Sequence, residues 1–192
     1  MPSPSETANR ANRGPAAGPS NRRALIAAAR EVYAEAGLSA PFSQVAKRAG
    51  VGQGSLYRHF PDRTALAVAV FEDNIVELER FADEPDHTID DLLDLVADQA
   101  IVSTAFIELL TAEPGEPRVV HLGLRYRDVV ERLLERRRAV GESASVDLED
   151  VLTATEMLAF VIARASREGR ADAAARARGI LRRAFRPSTQ ID

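Results

Sequence analysis

Apolar residues recur three or four positions apart along almost the whole chain, which is the spacing of one buried face of an α-helix. No segment shows the alternation of apolar and polar residues that is typical of a half-buried strand. Glycine or proline follows the periodic segments closely, as at Gly37, Gly50 and Pro61. The pattern therefore predicts an all-α fold and argues against sheet-based folds.

The change in composition along the 192 residues predicts two helical domains and two tails. Residues 1–19 are rich in Pro, Ser, Gly, Ala and Asn and lack apolar periodicity, so we expect a disordered tail. Segment 83–86, Asp-Glu-Pro-Asp, predicts a boundary between an N-terminal domain over 20–82 and a C-terminal domain over 83–186. Residues 187–192 are expected to form the second tail.

Polar residues that can cap helices precede several of the periodic segments. Thr88 and Asp91 have the spacing of a capping box. The residues predicted to open helices are Ser20, Ser43, Asp62, Thr88 and Asp147.

Several kinds of chemistry are disfavoured by residue content. The chain has no cysteine, which excludes disulfides, thiolate zinc sites, iron–sulfur clusters and cysteine nucleophiles. Its three histidines lack a second ligand at helical spacing, and the aspartates between 90 and 98 favour a solvated helix face over a metal site. There is neither a run of about 18 apolar residues nor a signal-like segment. We expect no metal, cofactor, catalytic site or membrane segment, and a cytoplasmic location.

The net charge of −4 hides an uneven distribution. Residues 1–63 hold nine Arg or Lys and four Asp or Glu, a net charge of +5, whereas residues 64–192 carry a net charge of −9. A basic N-terminal third on an acidic body suggests two tasks in one chain. Four of the cations lie near the chain start: Arg10, Arg13, Arg22 and Arg23. They belong either to a solvated terminus or to an arm that touches DNA phosphates.

Two short predicted helices meet at a turn over residues 50–53, Gly-Val-Gly-Gln. In such a helix-turn-helix unit the second helix can enter the major groove of DNA while the first lies across the backbone. Gln can read adenine, and Arg can pair with guanine or phosphate. The outward residues of the second helix are small or hydrogen-bonding: Gln53, Gly54, Ser55, Tyr57, Arg58 and His59. The alternatives are an αα-hairpin that binds nothing and, for Tyr57, half-burial against the first helix.

The stretch Phe42-Ser-Gln-Val-Ala-Lys-Arg-Ala-Gly-Val-Gly-Gln-Gly-Ser-Leu-Tyr-Arg-His-Phe60, followed by Pro61-Asp-Arg-Thr-Ala-Leu66, is a long motif with fixed spacing. It resembles the DNA-binding domain of the TetR family of bacterial repressors. The resemblance extends from Asn21 to about Phe81, about a third of the chain.

The resemblance implies a role for each matching residue. Ser43 would hold a phosphate from the N-cap of its helix, and Gln53 and Ser55 would face bases or phosphates. Tyr57 and His59 would grip the DNA backbone. Arg63, where relatives more often have lysine, would contact a phosphate at the start of the fourth helix.

In that family the C-terminal domain binds a small molecule and dimerises. The resemblance implies a homodimer through helices over about 147–168 and 172–185. The segment Met157–Ala163 is apolar on every side and suits such packing, although a core within one chain is the alternative. We expect four residues of the last helix to face inward: Ala177, Ile180, Leu181 and Ala184.

Polar residues inside apolar stretches, and a few aromatic or aliphatic neighbours, are the only sequence indications of a pocket for an unknown effector. Each could equally be a surface residue or a satisfied core group. The candidates are Gln99, Thr104, Phe106, Leu110, His121, Arg125, Tyr126, Glu156 and Phe160.

The sequence therefore predicts an all-α protein with a three-helix helix-turn-helix DNA-binding domain and a helical ligand-binding and dimerisation domain. The function indicated is that of a repressor which binds a palindromic DNA operator as a homodimer and is released by a small molecule. One alternative is an activator or architectural DNA-binding protein without an effector. A second is a helical-bundle enzyme or carrier that retains an inert helix-turn-helix.

Overall fold

The computed structural model describes residues 18–140 and 146–185. Within them the chain forms nine α-helices and one 3₁₀ turn, Arg167–Gly169, and contains no strand, which confirms the predicted all-α class. The helices are α1 (Gly18–Ala36), α2 (Phe42–Arg48), α3 (Gln53–His59), α4 (Arg63–Asp83), α5 (Ile89–Val102), α6 (Ala105–Ala112), α7 (Pro117–Ala139), α8 (Leu148–Arg164) and α9 (Arg170–Ala184). The predicted loop over 141–145, the predicted tail over 187–192 and residues 1–17 of the predicted tail over 1–19 lie outside the described residues. Gly18 and Pro19 belong to α1, so the tail prediction is wrong for these two residues.

Three of the predicted caps are formed. The Asp62 carboxylate accepts a hydrogen bond from the Ala65 amide at 2.6 Å and opens α4. Thr88 opens α5 and Asp147 opens α8, each through a reciprocal capping box with the residue three positions later. These bonds satisfy amides that would otherwise lack a partner in the first helical turn.

Two predicted caps are wrong. Helix α1 already includes Gly18, so Ser20 lies inside the helix and does not cap it. Helix α2 begins at Phe42 with Pro41 at the N-cap, and no side chain caps it. The extended backbone of Pro41 (φ −58°, ψ 129°) leads directly into the helix, and its carbonyl accepts a bond from the Gln44 amide at 2.8 Å. Ser43 thereby lies two residues after the N-cap position, as the second residue of the helix.

Glycines end α1 and α2, as the sequence predicts. Gly37 and Gly50 have φ values of 70° and 64°, in the left-handed region that favours glycine. The chain can therefore reverse sharply after each helix, and these two reversals place α2 and α3 against α1.

Helix α4 is the central element of the fold. Its six consecutive residues Leu66–Phe71 are all buried, so the first half of the helix is covered on every side. One continuous apolar core extends from Leu25 in α1 through α4 to Val151 in α8. A smaller cluster joins α5, α8 and α9. Helix α4 therefore connects the N-terminal and C-terminal helical regions.

The last helix is less buried than the sequence suggested. Ala174 is its only buried side chain, and of the residues expected inward, Ile180 and Ala184 are exposed. Met157, Phe160 and Val161 of α8 are also exposed. Periodicity predicts an apolar face correctly, but it does not say whether that face meets the same chain or another surface.

The acidic face of α5 is bonded to α9. Asp94 pairs with Arg178 at 3.0 Å and with Arg182 at 2.5 Å, so this part of the face is not simply solvated. In the part of the chain that the structure describes, no group of three or more His, Asp or Glu side chains is arranged to hold a metal ion.

Across residues 18–140 and 146–185, no single helix is long and apolar enough to cross a membrane. Helices α5 and α6 pass that test of length and composition only when joined, and they are bent by 92° at the break between them.

Candidate DNA interface and ligand cavity

Helix α3 presents a polar face that is anchored from behind. Leu56 and Phe60 are buried at 0% and 2% exposure, whereas Gln53, Gly54 and Arg58 are exposed. Among the residues that the structure describes, no atom lies within 4 Å of the position that a Cβ on Gly54 would take, which leaves room for another surface to approach the backbone there. The face is therefore rigid and open, which is what contact with base edges requires.

Tyr57 packs on α2 and remains reachable. Its ring meets the Phe42 ring edge-on with centroids 5.4 Å apart, yet 56% of Tyr57 is exposed. The contact orients the ring while leaving one side open to solvent. Ser43 is also exposed on α2, and Ser55 and His59 are half-buried.

Arg22 and Arg23 are exposed on α1. The Arg22 guanidinium lies 5.3 Å from the centre of the Phe60 ring, a cation–π contact that connects α1 with the end of α3.

Arg63 is engaged inside the N-terminal domain. Its Nη1 donates to the Leu38 carbonyl at 2.6 Å, and its charge acts on the Tyr33 hydroxyl. Burial dominates at Tyr33 and raises its pKa to about 12, so the hydroxyl stays protonated. Arg63 therefore supports the turn between α1 and α2, whether or not it also reaches a phosphate.

Arg48, at the end of α2, connects the helix-turn-helix to α1 through ion pairs. Its guanidinium lies 2.9 Å from both Glu31 and Glu35. These bonds raise the pKa of Arg48 and lower that of Glu35, mainly through the hydrogen bond between them. The contacts are solvent-exposed and so contribute more to orientation than to stability.

A cavity of about 350 Å³ lies in the C-terminal region, within the size range of small-molecule sites. Most of its wall is apolar. Five helices and the residue directly after α5 form the wall: Asn74, Ile75 and Leu78 of α4, Val96, Gln99 and Ala100 of α5, Ser103 after α5, Phe106, Ile107 and Leu110 of α6, Val120, Gly123, Leu124, Tyr126 and Arg127 of α7, and Leu152, Thr155, Glu156 and Ala159 of α8.

The structure brings together five of the nine predicted pocket residues: Gln99, Phe106, Leu110, Tyr126 and Glu156. The other four do not line this cavity. Thr104 is buried and donates to Glu108, Arg125 is bonded to Glu79, and His121 and Phe160 are exposed. They occur in the same apolar stretches, but their side chains leave the helices in other directions.

Tyr126 supplies a buried polar atom to the cavity. Within the described part of the chain its hydroxyl makes no hydrogen bond of good geometry, although the Thr155 hydroxyl lies close enough to act on it. Thr155 itself donates to the carbonyls of Val151 and Leu152. Burial raises the pKa of Tyr126, so the group remains a hydrogen-bond donor at neutral pH. An acceptor on a bound molecule would satisfy it.

A row of arginines on α7 connects the C-terminal helices to α4. The sequence analysis did not predict a role for these arginines. Arginines seven residues apart each pair with an acidic residue at or near an end of α4. The pairs are Arg118–Asp62 at 3.4 Å, Arg125–Glu79 at 2.7 Å and Arg132–Asp83 at 2.6 Å. The seven-residue spacing was a usable signal, because it keeps these side chains on nearly one helix face.

Comparison with known proteins agrees with this architecture. Residues 25–70 match the model of the bacterial regulatory proteins, tetR family. A TetR transcriptional regulator from Streptomyces coelicolor is 25% identical, with a TM-score of 0.62 over 88% of this chain and 99% of that one. A TetR transcription regulatory protein from Mycobacterium vanbaalenii is 28% identical, with a TM-score of 0.54 over 77% and 95%. No curated protein matches the sequence significantly.

The fold and the exposed face of α3 define a helix-turn-helix regulator that binds DNA. Its matched segment contains all of α2 and α3, and the similar structures extend over the C-terminal helices as well. Over residues 25–70 the chain matches the TetR family of bacterial transcriptional regulators, and its fold is similar to that of solved TetR regulators.

Proposed function

We propose that the protein is a repressor that binds a palindromic operator as a homodimer and is released by a small molecule in the cavity. The observation that carries the DNA-binding part is the exposed polar face of α3, fixed from behind by buried Leu56 and Phe60. Repression by occupancy needs no bond to be made or broken, so binding alone is proposed, without a cofactor, in the cytoplasm.

Two groups of contacts with DNA are proposed. Gln53, Ser55 and Arg58 face base edges, where Gln and Arg side chains discriminate between base pairs. Ser43, Tyr57, His59 and Arg63 contact the backbone, with Arg22 and Arg23 adding charge from α1. The first group sets sequence preference, and the second sets register and salt dependence.

A homodimer is supported by the apolar surface of the last two long helices. Met157, Phe160 and Val161 of α8 and Ile180 of α9 are all exposed, Ile180 at 60%. Exposed apolar groups on adjacent helices are typical of protein interfaces. A two-fold dimer can set two copies of α3 about 34–36 Å apart, one turn of DNA, which fits a palindromic site.

The proposed effector is a mainly apolar molecule that carries a hydrogen-bond acceptor for Tyr126. The apolar wall supports the first property and the buried hydroxyl supports the second. Release follows from linkage. If the effector binds the DNA-free protein more tightly than the DNA-bound protein, it lowers the affinity for the operator. Operator DNA then lowers the affinity for the effector by the same factor.

The test is selection of duplexes from a random pool, followed by affinity measurements at several salt concentrations. We expect affinities of about 10⁻⁸ to 10⁻¹¹ M for a palindrome and a salt slope of about −0.9 per phosphate contact. Arg58→Ala should weaken binding to the selected site. Arg138→Ala, an exposed arginine at the far end of α7, is the matched control and should leave binding unchanged.

Other results would decide between the alternatives. Tight binding without sequence preference would favour an architectural DNA-binding protein. Absence of binding to every duplex, by protein stripped of small molecules, would refute a DNA-binding role. Equal losses in Arg58→Ala and Arg138→Ala would refute the assignment of α3 as the reading helix.

A further inference from the structure

The turn that follows α1 is held from two sides by opposite charges. The Leu38 amide donates to the Glu108 carboxylate of α6 at 2.7 Å. The carbonyl of the same residue accepts a bond from Arg63, the first residue of α4, at 2.6 Å. Because α2 begins four residues later, these two bonds to Leu38 help to fix the position of the helix-turn-helix relative to the rest of the protein.

Both oxygens of Glu108 are engaged. Oε2 accepts from Leu38, and Oε1 accepts from the hydroxyl of buried Thr104 at 2.9 Å. A Cβ on Gly37 would lie 2.8 Å from Oε1 and 3.0 Å from Oε2, so the carboxylate approaches closely only because glycine is there. Both residues are therefore needed for the contact: Gly37 leaves the space, and Glu108 supplies the carboxylate that fills it.

The helix that carries Glu108 is also a wall of the cavity. Phe106, Ile107 and Leu110, on either side of Glu108 in sequence, line the cavity. Glu108 is the only charged residue in α6, whose sequence is AFIELLTA. A movement of α6 that makes room for a bound molecule would move the carboxylate as well.

We propose that Glu108 is a positioning residue for DNA binding, which holds the Gly37–Leu38 turn in the binding arrangement and releases it when the filled cavity displaces α6. This inference rests on the proposed function and names its route of regulation. Glu108 acts through the turn and makes no contact with DNA.

The first experiment measures how Glu108 variants bind the duplex selected by the wild type. Glu108→Ala should lose about 10- to 100-fold in affinity, the range expected for one charge-assisted hydrogen bond. Affinity for unrelated duplex and the salt slope should not change, because no phosphate contact is lost. Glu108→Gln should retain most of the affinity, since its carbonyl can accept from Leu38 while its amide faces Thr104. Glu113→Ala, exposed just after α6, is the control.

The second experiment fills the cavity at a known place. The chain has no cysteine, and a Cβ on cavity-lining Gly123 would meet no atom within 4 Å, so Gly123→Cys can be labelled alone. Benzyl methanethiosulfonate attaches a benzylthio group as a disulfide, and dithiothreitol removes it. Labelling should weaken binding to the selected duplex reversibly when Glu108 is present and have little further effect with Glu108→Ala. Labelled Glu113→Cys controls for modification outside the cavity.

Three results would overturn the proposal. They are wild-type binding by Glu108→Ala, unchanged binding by labelled Gly123→Cys, and an equal effect of the label with and without Glu108. If Glu108→Ala does not fold, the labelling experiment with Gly37→Ala decides, because its Cβ would displace the Glu108 carboxylate from Leu38. A label effect that Gly37→Ala removes supports the contact, and one that it leaves intact overturns the proposal. Failure of the wild type to select any duplex would instead remove the proposed function itself.

Discussion

Replacing Gly37 by alanine tests the contact between the two regions through stability alone. Gly37 has φ 70°, and a Cβ there would lie 2.8 Å from Glu108 Oε1. Gly50 is a matched control within the same chain, because it has φ 64° but no atom within 4 Å of its Cβ position. Both substitutions impose the same backbone strain, and only one displaces a neighbour.

The expected magnitudes follow from this difference. An L-residue in the left-handed region costs about 1–2 kcal/mol, so Gly50→Ala should lower the free energy of unfolding by about that amount. At Gly37 the carboxylate must also move away from Leu38. Losing that charge-assisted bond adds about 1.5 kcal/mol, the lower end of its usual range because the site is only partly buried. We therefore expect a loss of about 3 kcal/mol in Gly37→Ala.

Urea unfolding followed by circular dichroism, at one fixed protein concentration, measures both losses. The double variant Gly37→Ala, Glu108→Ala closes a cycle in which the cost of the alanine should fall to the Gly50→Ala value. Equal losses in the two single variants would refute the reasoning, as would a Gly37→Ala penalty that persists after Glu108 is removed.

Three further predictions concern stability. Asp62→Ala should cost about 1–2 kcal/mol in thermal unfolding because the Ala65 amide loses its cap, and Asp62→Asn, which can still cap, should cost much less; similar losses would contradict the cap. Hydrogen bonds from Arg125 lower the pKa of Glu79 in the folded protein below its ordinary value of 4.5. These bonds therefore stabilise the folded state fully above pH 4.5, and this stabilisation is lost as the pH falls through the lowered pKa. Glu79→Gln should therefore lower stability at pH 7 and flatten the acid side of the stability profile; an unchanged profile would contradict this. Tyr33→Phe should leave the urea midpoint unchanged or raise it, since the buried hydroxyl has no hydrogen-bond partner, and a clear loss would show that it is bonded.

Local signals in the sequence predicted the N-terminal region well. The turn at Gly50 and the outward position of Gln53 both depend on neighbours within a few residues. Ser43 shows the limit of such signals. A serine before an apolar run resembles a cap, but Pro41 had already directed the chain into the helix.

The cavity was harder to predict because its residues come together only through helix packing. Arg125 and Thr104 fit the description of polar residues in apolar stretches as well as Tyr126 does. Their partners Glu79 and Glu108 are what remove them from the cavity, and Glu79 is 46 residues from Arg125. The isolated charge of Glu108 in an apolar helix was a usable signal, but its partner Leu38 is 70 residues away.

The distribution of packing explains why α6, more than α4, is suited to respond to a bound molecule. Helix α4 buries nine of its residues and is bonded to the arginines of α7, so moving it would disturb much of the core. Helix α6 has eight residues and buries only Ala105 and Leu109. Typical couplings between effector and DNA sites are about 1–3 kcal/mol. The bond from Leu38 to Glu108, at about 1.5 kcal/mol, is of that size. One polar contact carried by the least anchored wall of the cavity would therefore be sufficient for the proposed regulation, without a rearrangement of the core.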